Sequence, residues 1–136
     1  MLAGDSRTIL IIDDDEGIRQ ILRRAMEAAG YTVLEASNGA AGLKRFREDD
    51  PDLVITDIIM PEREGVETIM ALRKESPGTP IIACSGGGGG GVDYLEIALK
   101  LGAQRVFPKP FSLNAIVAAV DELLGGTRLG KPGSTA

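Results

Sequence analysis

Short apolar runs recur along the chain and predict five β-strands. Each run has the length of a strand and is followed by a helical pattern, and the intervals are too long for hairpins. The predicted strands cover residues 8–12, 31–36, 53–56, 81–85 and 105–107. Several of these runs are apolar on both faces, which is typical of a parallel sheet that helices cover on each side.

The segments between these runs carry apolar residues at helical spacing. In the first, apolar residues occupy positions 18, 21, 22, 25, 26 and 29, and the pattern ends at Gly30. Further helices are predicted over residues 39–48, 66–75 and 92–101, and a fifth begins after Ser112, a candidate N-cap, and continues to residue 124. Five strands that alternate with five helices predict an α/β fold with a doubly wound parallel sheet. In such sheets ligands bind beyond the carboxyl ends of the strands.

Polar side chains stand at four of these strand ends: Asp13 and Asp14 after the first strand, Asp57 after the third, Ser85 at the end of the fourth and Lys109 after the fifth. Clustered carboxylates repel one another, and a hard cation such as Mg²⁺ with oxygen ligands relieves that repulsion. A carboxylate can also attack phosphorus, with cation, lysine and hydroxyl neutralising the transferred oxygens. The pattern therefore predicts a magnesium-dependent site that accepts a phosphoryl group.

Ordinary structural explanations also exist for the acidic run, for Asp57 and for Lys109 when each is taken alone. The acidic run would cap the following helix, Asp57 would be a turn residue, and Lys109 would be a surface charge. Their joint occurrence at four strand ends favours the functional interpretation. Within the run, Asp15 is better suited to capping the helix than to binding a metal.

Composition narrows the classes of protein that remain. The chain of 136 residues has the size of one domain, and its net charge of −5 gives no electrostatic footprint for nucleic acid. It contains no histidine, which argues against Ser-His and Cys-His enzymes. Its single cysteine, Cys84, lies in an apolar run and is predicted to be core. No secretory signal and no apolar run of about 20 residues is present, so we expect a cytoplasmic protein with no membrane partner.

Four motifs in combination resemble the receiver domain of bacterial response regulators, the family of the chemotaxis regulator. They are ILIIDD at residues 9–14, DIIMP at 57–61 followed by Gly65, PIIACS at 80–85, and LGA at 101–103 leading to KPF at 109–111. The resemblance extends over residues 8–124. It implies a flavodoxin-like (βα)5 fold with strand order 2-1-3-4-5, a receiver domain over residues 1–124 and a flexible tail over residues 125–136.

The resemblance also implies a role for each residue at the strand ends. Asp57 would be the phosphoacceptor, Ser85 would contact the phosphoryl group through its hydroxyl, and Lys109 would pair with it electrostatically. The Mg²⁺ ligands would be Asp14, Asp57, the main-chain carbonyl of Ile59 and, through water, Asp13. Members of the family also carry a cis peptide bond at the position of Lys109-Pro110.

The implied function is that of a switch in a two-component phosphorelay, which catalyses only its own phosphorylation and dephosphorylation. The phosphoryl group would come from a sensor histidine kinase or a phosphotransfer protein, and the surface around the fourth helix, fifth strand and fifth helix would then engage an unidentified output protein or domain. A homodimer that forms on phosphorylation is left open. One alternative is an unphosphorylated pseudo-receiver that acts as an interaction module. Another alternative is a flavodoxin-like or phosphatase-type enzyme. The absence of an Asp-x-Asp pair at Asp57 argues against it.

The chain departs from the family pattern at two places. Val106 stands where relatives carry an aromatic residue, and Phe107 could replace that ring only through a one-residue slip, which would reverse the faces of the strand. Six glycines follow Ser85 at residues 86–91 without the ending of a nucleotide-binding P-loop, and we expect a loop that orders on phosphorylation. Ile59 and Gly87 offer no polar group to orient a water, which predicts slow self-dephosphorylation.

Overall fold

The structure, a computed structural model, describes residues 7–58, 64–85 and 94–125. Its strands form one parallel sheet in the order β2-β1-β3-β4-β5, which confirms the predicted fold class and strand order. The strands are β1 (Thr8–Ile12), β2 (Thr32–Ala36), β3 (Leu53–Asp57), β4 (Ile81–Ser85) and β5 (Arg105–Pro108). The third strand thus includes the aspartate that the sequence pattern placed just beyond its end.

Five helices alternate with these strands: α1 (Glu16–Ala28), α2 (Gly39–Asp49), α3 (Glu64–Glu75), α4 (Tyr94–Leu101) and α5 (Leu113–Leu123). Within the described part of the chain, side chains cap three of these helices. Asp15 accepts a hydrogen bond from the Ile18 amide at the start of α1, and Ser112 accepts one from the Ala115 amide at the start of α5, so both predicted capping roles are confirmed. Asn38 caps α2 in the same way. The predicted start of the fourth helix at residue 92 lies outside the described residues.

The sheet separates two apolar cores because successive residues of a strand point to opposite faces. On β1, Ile9 and Ile11 pack with residues of α1 and α5, whereas Leu10 and Ile12 pack with residues of α2, α3 and α4. All four side chains are fully buried. The apolar character of this strand on both faces therefore reflects helices on both sides of the sheet. Among the described residues, no helix is both long and apolar enough to cross a membrane.

The register of β5 settles where its aromatic residue lies. Val106 pairs with Ala83 and packs in the core of α2, α3 and α4, while Phe107 pairs with Cys84 and packs against the core of α1 and α5. The strand has not slipped by one residue. Phe107 therefore does not replace the ring that relatives carry at position 106, as the alternation of faces predicted.

Two glycines allow helices to approach the sheet closely. A Cβ added at Gly42 of α2 would lie 2.4 Å from Cδ1 of Ile12. A Cβ added at Gly65, in the first turn of α3, would lie 2.2 Å from the main-chain oxygen of Ile58, the residue that follows Asp57. By contrast, a Cβ at Gly78 would meet no atom within 4 Å.

Candidate functional site

Three carboxylates meet at the carboxyl edge of the sheet. Asp13 follows β1 and Asp57 ends β3, and these two strands are neighbours in the sheet. One ligand oxygen from each of Asp13, Asp14 and Asp57 lies within 4.8 Å of the others. Asp13 is 2% exposed and Asp57 is 5% exposed, whereas Asp14 is open to solvent. We call these three residues the acid cluster.

Lys109 supplies the opposite charge to the acid cluster. Its Nζ lies 3.0 Å from Oδ2 of Asp13 and 3.4 Å from Oδ2 of Asp57. Burial lowers the pKa of Lys109, but the hydrogen bond to Asp13 and the attraction of both carboxylates outweigh it, so the pKa lies above its ordinary value. The ammonium therefore remains charged and offsets part of the repulsion between the acids.

Main-chain hydrogen bonds fix the loop that carries this lysine. The Lys109 amide donates to the carbonyl oxygen of Ser85 at 2.7 Å, and the Lys109-Pro110 peptide bond is cis, as the resemblance implied. Ser85 ends β4 and is 2% exposed. Next to it, the Ile58 amide donates to the carbonyl oxygen of Cys84 at 2.8 Å. The ends of β3, β4 and β5 are thus joined beside the acid cluster.

Cys84 lies under this edge of the sheet, in register with Asp57 on the neighbouring strand. Its side chain is 1% exposed and packs in the core of α1 and α5, which confirms the predicted core position. Burial raises the pKa of the Cys84 thiol to about 12. The thiol is therefore protonated and has the properties of a small apolar side chain.

Asp13 is held by more than its contact with Lys109. Its Oδ1 accepts a hydrogen bond from the Asp15 amide at 2.9 Å, and its own amide donates to the carbonyl oxygen of Ala36 at 3.1 Å. Its carbonyl oxygen accepts a hydrogen bond from Nη1 of Arg19 at 2.8 Å. The sequence did not single out Arg19, because nothing in a helical pattern shows which residue on a charged face turns toward a strand end.

The structure thus brings together five of the predicted site residues at one edge of the sheet: Asp13, Asp14, Asp57, Ser85 and Lys109. Ile59, predicted to supply a main-chain ligand, and the glycines at 86–91 lie outside the described residues. Three carboxylate oxygens within reach of one another, two of them on buried side chains, form the hard-oxygen donor set that Mg²⁺ favours. The residues present fit that ion.

Comparison with known sequences agrees with this geometry. The family described as response regulator receiver domain matches residues 9–121. The chemotaxis protein CheY of Halobacterium salinarum is 33% identical over 119 residues, which are 88% of this chain and 98% of that protein. The response regulator MprA of Mycobacterium ulcerans is 35% identical over 121 residues, which are 89% of this chain and 51% of that protein. The chain therefore spans nearly all of CheY and about half the length of MprA.

Solved structures of similar proteins share the fold. A response regulator receiver domain protein from Clostridium thermocellum has a TM-score of 0.80 and 31% identity, and the match covers 92% of this chain and 99% of that one. A CheY-like receiver domain protein from Methanospirillum hungatei has a TM-score of 0.81 and 26% identity, covering 93% and 100% of the two chains. With the acid cluster and Lys109 at the carboxyl edge of a 2-1-3-4-5 sheet, these matches show that the chain belongs to the response regulator receiver domain family.

Proposed function

We propose that this receiver is a phosphorylation switch in which Asp57 accepts a phosphoryl group from a sensor histidine kinase or a phosphotransfer protein. One observation carries the proposal: the buried Asp57 carboxylate ends a central strand within 4.8 Å of two further acids and 3.4 Å from the Lys109 ammonium. Such an arrangement has both a nucleophile and the charges needed to receive an anionic group.

The reaction begins when an Asp57 oxygen attacks the phosphorus of a phosphohistidine. The new O–P bond forms as the P–N bond breaks, and the electron pair leaves with the imidazole, which takes up a proton from solvent. Asp13 and Asp14 would hold Mg²⁺ beside Asp57. When bound, that ion supplies positive charge next to the transferred oxygens.

Lys109 and Ser85 then respond to the new charge at Asp57. The Lys109 ammonium, already 3.4 Å from Asp57, pairs with a phosphoryl oxygen, and the Ser85 hydroxyl donates to another. Because the Lys109 amide is bonded to the Ser85 carbonyl, movement at the end of β4 is transmitted to β5 and α5. The surface of α4, β5 and α5 thereby changes its affinity for an output partner.

The protein acts as a switch in the cytoplasm, turns over only its own phosphoryl group, and engages an output protein or an attached output domain. Its net charge of −5 disfavours direct contact with nucleic acid. A protein of Bacillus subtilis named alkaline phosphatase synthesis transcriptional regulatory protein PhoP is matched over 53% of its length. The remainder of that protein lies outside the match, and we propose an attached output domain for this receiver by analogy with its length.

Intact-mass measurement tests the chemistry directly. We expect the full chain to gain one phosphoryl group when it is incubated with Mg²⁺ and either acetyl phosphate or phosphoramidate, whose P–N bond resembles that of phosphohistidine. Excess EDTA should prevent the gain. The Asp57→Asn variant should show none, while Asp52→Asn, which changes an acid outside the cluster, should react as the original chain does. An unmodified chain under every condition would instead support an unphosphorylated pseudo-receiver.

A further inference from the structure

Arg19 joins three parts of the molecule beside the acid cluster. It lies on α1, its Nη1 donates to the carbonyl oxygen of Asp13 at 2.8 Å, and its Nε donates to Oε1 of Glu35 on β2 at 3.1 Å. The Arg19 side chain is 15% exposed. The planar guanidinium therefore connects the loop after β1 to the neighbouring strand in a fixed orientation.

The carbonyl group that Arg19 holds belongs to the peptide unit between Asp13 and Asp14. This unit is planar, so fixing its oxygen also fixes the direction in which the chain enters Asp14. The Asp13 amide is already bonded to Ala36, and its Oδ1 to the Asp15 amide. Arg19 adds the contact that orients the peptide leading into Asp14.

Glu35 holds Arg19 in this position. Its carboxylate accepts hydrogen bonds from Arg19 at 3.1 Å and from Nη1 of Arg23 at 2.6 Å. The hydrogen bond from Arg23 lowers the pKa of Glu35, burial raises it, and the hydrogen bond from Arg19 lowers it further. The net result is a pKa below the ordinary value. Glu35 therefore remains a carboxylate, and it balances the charge that Arg19 brings close to the acid cluster.

We propose that Arg19, held by Glu35, is a positioning residue that sets the affinity of the acid cluster for Mg²⁺ by orienting the peptide between Asp13 and Asp14. This inference rests on the proposed function, in which those acids hold the ion. Two physical effects predict opposite results when Arg19 is replaced. Loss of a nearby positive charge alone would tighten cation binding, whereas loss of the positioning contact weakens it.

Calorimetric titration of the full chain with MgCl₂ separates these effects. Residues that orient metal ligands typically change affinity by about 10- to 100-fold, and we expect Arg19→Gln to raise the Kd for Mg²⁺ about tenfold. Glu35→Gln should raise it by a smaller factor in the same direction. Arg23→Gln is the matched control, because Arg23 bonds the same Glu35 carboxylate and lies on the same helix, but its contacts are with Glu35 and Glu27. Its Kd should stay within about twofold of the original.

A kinetic readout distinguishes positioning from general damage to the fold. In Arg19→Gln the Mg²⁺ concentration for half-maximal phosphorylation by acetyl phosphate should rise with the Kd, while the rate at saturating Mg²⁺ stays near that of the original chain. Thermal unfolding in EDTA shows whether each variant is folded. If Arg19→Gln does not fold, Arg19→Lys takes its place, because it keeps the charge and loses the planar fork.

The outcomes separate this inference from the proposed function. The positioning role alone is overturned if the original chain binds Mg²⁺ and is phosphorylated, but Arg19→Gln binds Mg²⁺ equally well or more tightly. An equal loss of affinity in Arg23→Gln also overturns it, since the effect would then come from the charge of the helix. An original chain that does not bind Mg²⁺ overturns both.

Discussion

Replacing Gly65 with alanine tests how tightly α3 is held against the strand that carries Asp57. The added Cβ would lie 2.2 Å from the main-chain oxygen of Ile58 and 2.5 Å from its carbonyl carbon. Carbon atoms in favourable contact are about 3.5–4.0 Å apart, so the start of α3 would have to move away by more than about 1 Å. Because the obstructing atoms belong to the main chain, no side-chain rotation can relieve the clash.

The size of the effect follows from two opposing contributions. Overpacking of this kind costs about 1–3 kcal/mol, and the rigid neighbour places Gly65→Ala near the upper value. Alanine gains at most about 1 kcal/mol over glycine in a helix. We therefore expect the free energy of unfolding to fall by about 2 kcal/mol, which for a domain of this size lowers Tm by about 8 °C.

Urea unfolding of the full chain measures this change in stability. The transition is followed by circular dichroism because the chain contains no tryptophan for fluorescence. The midpoint should fall by roughly 1 M with an unchanged slope. Gly78→Ala is the control, since its Cβ would meet nothing within 4 Å, and it should alter stability by less than about 0.5 kcal/mol. If Gly65→Ala proves as stable as Gly78→Ala, then the close approach of α3 to Ile58 is not what holds this helix.

Two further predictions concern the charges and the thiol at the same edge. Lys109→Met should lower the free energy of unfolding in EDTA by about 3 kcal/mol, because Asp13 and Asp57 lose their counter-charge, and by less in excess Mg²⁺. The matched control, Lys100→Met, removes a side chain that is 74% exposed and should change the free energy of unfolding little. If Lys109→Met loses the same stability with and without Mg²⁺, the reasoning is contradicted. Cys84, with a pKa of about 12, should resist iodoacetamide in the folded chain near about pH 8 and react when urea unfolds it, as mass spectrometry can show. The buried Cys84 thiol should stabilise the fold fully below its ordinary pKa of 9.0. This stabilisation should be lost as the pH rises toward about 12, because in that range the thiol of the unfolded chain releases its proton while that of the folded chain keeps it. Rapid labelling of Cys84 in the folded chain would refute the reasoning.

Local patterns predicted the fold closely because each element carries its own signal. The run of apolar residues before Asp13 required a strand buried on both faces, and the structure places β1 there with Ile9 to one side and Leu10 to the other. The observed ends of an element differ from the predicted ends where polar residues begin or end it. α1 begins at Glu16, before the first apolar position at Ile18, because Asp15 caps a first turn that hydrophobic periodicity does not register.

The site was predictable to the extent that it follows from strand ends. Asp13, Asp57 and Lys109 could be placed together because parallel strands end at one edge of the sheet. The contact of Arg19 with Glu35 could not be predicted, because these residues lie 16 positions apart and meet only when α1 packs beside β2. Each looks like an ordinary surface charge in the sequence, and their pairing is a property of the tertiary structure.

The bonds that join the strand ends belong to the main chain, which bears on how such a protein can evolve. The Ile58 amide meets the carbonyl of Cys84, and the Lys109 amide meets that of Ser85, so neither bond depends on which side chain stands at position 84 or 85. A mutation at position 85 would change the side chain at the end of β4 while both main-chain bonds stay in place. Under the proposed function, the lifetime of the phosphoryl group would therefore be able to diverge between descendants without a new fold.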